Sequence, residues 1–207
     1  MILTPVTPEE LTHALEAIAS SLSPRARAVL RRIAATSAER APKPLCEVHR
    51  REALAVAAKF GMGSIPGRPE QGFHWNGRAL REDSESYVLL HEVAHFQLAP
   101  PRRRAVPEFG LGPGPDTGNR VEAEAVRSAF GLASDREEAE ASLLGILWEA
   151  ALGHPALASF LDQNWLEGWR RGAAATHFES VLQRLFNGGF VDAAGAPTLT
   201  LREGEPA

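Results

Sequence analysis

The stretch "YVLLHEVAHFQL", residues 87–98, contains two histidines four positions apart, with a glutamate directly after the first. On an α-helix, His91 and His95 lie one turn apart on the same face, so both imidazoles can bind one metal ion. Glu92 lies about 100° round the helix and can reach a water on that ion without being a ligand. The H-E-x-x-H pattern therefore predicts a metal site on a helix.

The neighbours of this motif favour a metal ion over a hydrogen-bonded histidine pair. Apolar residues surround the histidines on almost every side of the helix, which predicts that the helix is buried. These residues are Val88, Leu89, Leu90, Val93 and Ala94. Buried imidazoles and a buried carboxylate lose hydration, and this costs free energy unless another group compensates for it. A bound cation provides that compensation.

A third ligand is expected further along the chain, where "NRVEAEAVRSAFGLA", beginning at residue 119, offers two glutamates. Asn119 has the context of an N-cap, which gives Glu122 the reciprocal position of a capping box. Glu124 lies on a helix face that we expect to be buried, where a carboxylate needs a cation. We therefore predict Glu124 as the third ligand and keep Glu122 as the alternative. More distant candidates are His74, Glu108 and Asp116.

The composition limits the class of protein. With 207 residues and 44% hydrophobic residues, the chain can build one domain with a sizeable core. The net charge of −4 gives no electrostatic reason to expect a nucleic-acid partner. Cys46 is the single cysteine, which excludes an internal disulfide and a cysteine-rich zinc module. The sequence has no transmembrane or signal-peptide pattern, so we expect a cytoplasmic protein without a membrane partner.

The order of the elements predicts a mainly helical α+β fold, with a zincin-like H-E-x-x-H core. We expect a single metal-binding domain over residues 1–207, with residues 1–45 as a helical extension packed on it. A short strand or hairpin is predicted in "FHWNGRAL", residues 73–80, and a second hairpin in "FVDAAGAPTLTL", residues 190–201. Helices are predicted in the first forty residues and at 51–60, 83–98, 119–132, 135–152, 155–171 and 173–187. The Gly/Pro-rich segment 100–118 is predicted to be an irregular, functional loop.

Two protein families resemble this constellation. "HEVAH" followed by "EAEAVRSAF" is similar to small intracellular peptidase-like proteins of the gluzincin group. That resemblance implies zinc held by His91, His95 and Glu124, with Glu92 as the general base that deprotonates the attacking water.

The more extensive resemblance is to the elongation factor P hydroxylase family, and it covers roughly residues 75–130. It rests on "HEVAHF" and on the loop residues Ala99, Arg103, Arg104, Glu108, Phe109, Gly110, Pro115 and Asp116. It implies a 2-His-1-carboxylate iron centre that hydroxylates a modified lysine of the translation factor. Leu111 and Gly112 stand where that family has aromatic residues, so the substrate stays open. Elongation factor P, another protein or peptide, and a small molecule are the alternatives.

We therefore expect a non-heme Fe(II) hydroxylase, with a Zn(II) peptidase as the alternative and a non-catalytic metal-binding module as the third possibility. Two histidines and one carboxylate occur both in zinc hydrolases and in iron oxygenases, so the ligand types alone do not choose the metal.

Overall fold

The computed structural model describes residues 7–204 and is mainly helical in that range. The helices are α1 (Pro8–Ser21), α2 (Pro24–Ala34), α3 (Lys43–Lys59), α4 (Ser86–Leu98), α5 (Pro101–Arg104), α6 (Arg120–Ala125), α7 (Gly131–Leu152), α8 (Ala156–Asp162) and α9 (Ala173–Asn187). Strands β1 (Gly63–Ile65) and β2 (Ala79–Arg81) form a small parallel sheet. The prediction of a mainly helical α+β fold is confirmed.

The chain divides into two compact units. The first contains the described residues up to Ala41 together with Ile146–Thr198, and the second contains Pro42–Gly145 together with the described residues from Leu199. The boundary lies within α7. Residues 7–41 therefore share a unit with the C-terminal helices. The single metal-binding domain over residues 1–207, with residues 1–45 as a helical extension, stays a prediction.

In the first unit, the N-terminal helices form where their capping residues predict. Thr7 and Glu10 make a reciprocal capping box, and the hydroxyl of Ser23 accepts a hydrogen bond from the backbone N–H of Ala26. Helix α1 packs against α2 and α9, and α2 packs against α8 and α9. Fully buried apolar side chains fill this unit, among them Ile18, Leu30, Ile33, Phe160 and Phe178.

The second unit is built on the packing of α3 against α4. Helix α4 buries apolar side chains over most of its circumference, including Leu89, Leu90, Val93 and Leu98, as the sequence predicts. It ends at Ala99, which adopts extended φ and ψ angles because a residue before proline disfavours the helical region. The motif-bearing helix is therefore held firmly inside this unit.

The sheet of the second unit differs from the prediction. Ala79–Arg81 lies within and just after the predicted strand, but no strand was predicted at its partner Gly63–Ile65. The pairing is parallel, with Gly63 beside Ala79 and Ile65 beside Arg81. Such a pair depends on contacts between distant segments, so a short run of three residues gives little local signal. The predicted C-terminal hairpin is reduced to one bridge between Val191 and Pro197.

Three helix predictions change at their ends. Helix α3 begins at Lys43, earlier than expected, because prolines at positions 42 and 44 are tolerated at a helix start. The predicted helix 119–132 stops at Ala125, and α7 then begins at Gly131. The predicted helix 155–171 shortens to Ala156–Asp162.

Among residues 7–204, no helix has the length and apolar character needed to cross a membrane.

Candidate metal centre

His91 and His95 point their rings at a common position, as their helical spacing predicts. Their Nε2 atoms are 3.0 Å apart. The ring centroids are 4.5 Å apart, with an angle of 87° between the ring planes. Two ring nitrogens that face each other at this distance need a proton or a cation between them, because two lone pairs would repel each other.

A carboxylate from α7 completes this arrangement. Oε1 of Glu138 lies 3.1 Å from Nε2 of His91, and Oε2 lies 3.3 Å from Nε2 of His95. Partial burial raises the pKa of Glu138, but the charges and hydrogen bonds of the two histidines outweigh this and hold that pKa well below its usual value. We call His91, His95 and Glu138 the three-donor cluster.

The distances within the three-donor cluster fit a metal ion. Ligand bonds of about 2.0–2.2 Å that meet at roughly 90–109° place neighbouring donor atoms about 2.8–3.6 Å apart. The donor separations of 3.0, 3.1 and 3.3 Å fall inside that range. The chain therefore presents three donors on one side of a position that a divalent cation can occupy.

Glu124 lies outside the three-donor cluster in the structure. It is exposed on α6 and forms an ion pair with Arg127, with 3.5 Å between Oε1 and Nη1. In α6 only Ala123 is buried, so the buried face that favoured Glu124 as a ligand does not form. Asn119 is the N-cap but makes no side-chain cap bond, and Glu122 is exposed.

The packing of α7 explains how Glu138 reaches the histidines. A Cβ atom on Gly145 would lie only 3.2 Å from Cα of His91, so the missing side chain lets α7 approach the backbone of α4. Glu138 and Gly145 are seven positions apart on one helix, which puts them on nearly the same face. The close approach at Gly145 therefore turns Glu138 toward the histidines.

A buried ion pair holds α7 beside the Gly/Pro-rich loop. The guanidinium of Arg103 pairs with the carboxylate of Glu137, and both side chains are almost fully buried. Nη1 of Arg103 also donates a hydrogen bond of 3.0 Å to the carbonyl of Phe109. Because Glu137 precedes Glu138, this pair fixes the helix next to the carboxylate of Glu138.

The loop after α4 contains more structure than predicted. It includes helix α5 and a 3₁₀ turn at Pro107–Gly110. Three consecutive residues there have positive φ angles: 48° at Glu108, 52° at Phe109 and 68° at Gly110. Residues other than glycine rarely adopt positive φ angles, and such conformations concentrate at functional sites. The side chains of Glu108 and Phe109 are therefore held in place by a strained backbone conformation.

The ring of Phe109 packs against the ring of His95. The two ring centroids are 5.7 Å apart, with 26° between the planes. Trp75 stacks on Phe109 in turn, at 5.7 Å and 4°. Nδ1 of His95 is buried without a hydrogen-bond partner among residues 7–204, so aromatic packing orients this ring.

His74 and Glu108, two of the more distant candidates, form a buried pair. Oε1 of Glu108 accepts hydrogen bonds from the backbone N–H of His74 and from the hydroxyl of Thr117, at 3.0 and 2.6 Å. Nδ1 of His74 lies 3.4 Å from the same oxygen. Burial would lower the pKa of His74, but the hydrogen bond with Glu108 and the charges of nearby carboxylates raise it to about 9. Burial would raise the pKa of Glu108, but its hydrogen bonds lower it.

Glu92 is buried, and the charges of both groups of polar residues act on its carboxyl. Its burial raises the pKa of its carboxyl to about 7, although the charge of His74 opposes that rise. The charges of Glu108, His95 and Glu138 also act on it. Glu92 is therefore close to both the His74–Glu108 pair and the three-donor cluster. Asp116 is exposed and acts on His74 through its charge.

Glu138 is a candidate ligand that the sequence analysis did not name. A signal for it exists, because Glu138, Ala141 and Gly145 place a carboxylate and two small residues at helical spacing on one face of α7.

Comparison of the chain with protein-family models, with curated proteins and with solved structures found no match.

Proposed function

We propose that this protein is a metal-dependent enzyme in which His91, His95 and Glu138 bind one divalent ion. The observation that supports this best is the convergence of three donor atoms, which all lie within 4.8 Å of one another. Two of the three ligands come from the predicted H-E-x-x-H helix, and the third replaces Glu124 with a carboxylate from α7.

The exposure of the three-donor cluster supports a catalytic role over a structural one. The side chain of Glu138 is 59% exposed and that of His91 is 21% exposed. A structural zinc ion is usually enclosed by four protein ligands, whereas a catalytic ion keeps a position open for water or substrate. Three protein donors with an accessible side match the second arrangement, which argues against a purely non-catalytic module.

The reaction that we favour is hydroxylation by an iron(II) centre of the 2-His-1-carboxylate type. When bound, iron(II) would supply the redox chemistry that activates dioxygen, which zinc cannot supply. The loop residues that resemble the elongation factor P hydroxylase family support this choice through their contacts. Phe109 packs on His95, Arg103 pairs with Glu137, and Glu108 binds His74. A zincin-like helical core is the corresponding proposal for the fold.

The residues around the cluster orient the ligands and control protons. Arg103 pairs with Glu137 and so fixes the part of α7 that carries Glu138. Phe109 stacks on the ring of His95 and holds its orientation. Glu92 can hold or release a proton near neutral pH at its buried carboxyl. In a hydroxylation, one oxygen atom enters a C–H bond of the substrate. The other leaves as water, with two electrons and two protons from a reductant.

A zinc peptidase is the second candidate, and the properties of Glu92 favour it. The charges of His95 and Glu138 act on its buried carboxyl, and its pKa of about 7 suits a general base that takes a proton from water. The substrate would again be a protein or peptide. For the hydroxylase, elongation factor P is the first substrate to test, and other proteins, peptides and small molecules follow.

The two reactions differ in their requirement for metal and oxygen. Protein loaded with iron(II) is incubated with a reductant, air and elongation factor P, and then with peptides and metabolites from a cell extract. We expect mass spectrometry to find one added oxygen atom with iron and none with zinc. The Glu138→Ala variant should abolish the product.

Peptide cleavage would contradict the hydroxylase proposal. If zinc-loaded protein cleaves peptides without oxygen, and Glu92→Gln stops cleavage while zinc stays bound, the peptidase is the correct function.

A further inference from the structure

His74 has one ring nitrogen that the protein engages and one that it does not. Both hydrogen-bonding contacts of the ring are made at Nδ1, which lies 3.4 Å from Oε1 of Glu108 and 3.3 Å from Oγ1 of Thr117. Among residues 7–204, no hydrogen-bond partner lies within reach of Nε2. The side chain is only 7% exposed. Nε2 is not among the buried polar atoms that lack a partner, so this nitrogen is accessible and a ligand can reach it.

The segment that contains His74 is connected to the three-donor cluster by a series of contacts. The backbone N–H of Glu108 donates a hydrogen bond of 2.9 Å to the carbonyl of Trp75, so the segments at 74–75 and 108–109 run side by side. Along this pairing, Trp75 stacks on Phe109, which contacts His95. His74 binds Glu108 at the neighbouring position, and its charge acts on Glu92.

The charges around His74 define which acceptor can bind it. Glu108, Glu92 and Asp116 all act on the imidazole as negative charges. A substrate carboxylate would be repelled by these groups, whereas a neutral carbonyl oxygen accepts a hydrogen bond without that cost. We infer that His74 is a substrate-binding residue, which donates a hydrogen bond from Nε2 to an amide carbonyl of a substrate at the metal centre, with Glu108 as its positioning residue.

This inference rests on the proposed function and narrows it to substrates with an amide group, such as a peptide. The raised pKa of His74 supports it, because the ring carries both protons at neutral pH and Nε2 is then a donor. Glu108 orients the ring by binding Nδ1, in the way that a carboxylate orients a catalytic imidazole.

Acetohydroxamate tests the inference, since it is a hydroxylated amide that binds metal ions through oxygen. Its dissociation constant is measured by calorimetry on zinc-loaded protein, for the wild type, His74→Leu, His74→Gln and the exposed control His13→Leu, with zinc content measured for each. We expect His74→Leu to keep zinc and to bind acetohydroxamate about 10-fold to 100-fold more weakly. His74→Gln, which keeps an N–H donor, should lose less, and His13→Leu should match the wild type.

A second readout follows the ring itself. In ¹⁵N-labelled zinc protein, acetohydroxamate should shift the Nε2–H resonance of His74, and acetate should not. Unchanged affinity in zinc-bound His74→Leu, or an equal dependence of acetate binding on His74, would overturn the inference. Loss of zinc from both His74 variants would also overturn it, because His74 would then belong to the metal centre. If the wild type binds no zinc or other divalent ion, the proposed function fails first, and the inference fails with it.

Discussion

The ring of Phe109 lies against the ring of His95, with 5.7 Å between centroids and 26° between planes. This contact joins the strained turn at Pro107–Gly110 to a residue of the three-donor cluster. Because Nδ1 of His95 has no hydrogen-bond partner among the described residues, the stacked ring takes over the orienting role that such a bond usually has.

Phe109→Ala should therefore weaken metal binding as well as stability. We expect a loss of about 3–5 kcal/mol in the free energy of unfolding, because the side chain is buried. Metal affinity should fall about 10-fold to 100-fold, measured by competition with a chelator under folding conditions. Phe160→Ala is the matched control, since Phe160 is equally buried in the other unit. An equal loss of metal affinity in both variants would contradict the orienting role of Phe109.

The buried pair between Arg103 and Glu137 gives a double-mutant prediction. Arg103→Met leaves the carboxylate of Glu137 buried without its partner and should lower the free energy of unfolding by about 3–5 kcal/mol. Arg103→Met/Glu137→Met should recover much of this loss, because it removes the uncompensated charge. Urea unfolding of the single and double variants checks this. Additive losses in the double variant would show that the two side chains are not coupled.

The stability of the protein should depend on pH through the His74–Glu108 pair. The pKa of His74 rises from 6.5 to about 9 on folding, so its contribution is fully present below pH 6.5 and is lost as pH rises through about 9. The lowered pKa of Glu108 gives a contribution that is present above pH 4.5 and is lost as pH falls. The pair therefore contributes most to the free energy of unfolding between pH 4.5 and pH 6.5.

Urea unfolding at pH 6 and pH 9 measures the contribution of His74. Between these pH values the wild type should lose about 2–4 kcal/mol more stability than His74→Gln. The exposed His13→Gln variant is the control for replacing a histidine outside the pair. An equal loss in the wild type and in His74→Gln would show that His74 is not protonated in the folded protein.

The loop requires glycine at position 110 for two reasons. Gly110 has a φ of +68°, and a Cβ atom there would lie 2.5 Å from Oγ of Ser128. Gly131 has a φ of +55° with nothing within 4 Å of such an atom. Gly131→Ala should therefore cost only the conformational penalty of about 1–2 kcal/mol, and Gly110→Ala should cost more. Thermal unfolding compares the two variants, and equal costs would mean that the contact with Ser128 is easily relieved.

Local sequence signals predicted the parts of the fold that depend on neighbouring residues. Helices were predicted in the first forty residues, where α1 and α2 form, and the apolar residues on almost every side of α4 predicted its burial. The spacing of His91 and His95 gave the convergence of their rings, since helix geometry fixes that relationship.

The third donor could not be found in the same way. Glu124 was favoured on an expected buried face, but α6 is short and exposes that residue. Glu138 reaches the histidines only because α7 packs on α4 at Gly145, and packing between distant helices leaves a weak trace in a single sequence. The pairing of β1 with β2 was missed for the same reason.

The metal content of Glu138→Ala and Glu124→Ala tests the central claim most directly. Both proteins are purified anaerobically without added metal, loaded with iron(II) or zinc, and dialysed. Their metal content is then measured by elemental mass spectrometry, beside that of the wild type and of His91→Ala/His95→Ala. We predict about one ion per chain in the wild type and in Glu124→Ala, and little or none in Glu138→Ala and in the double histidine variant. Full occupancy in Glu138→Ala with loss of metal from Glu124→Ala would contradict the three-donor cluster.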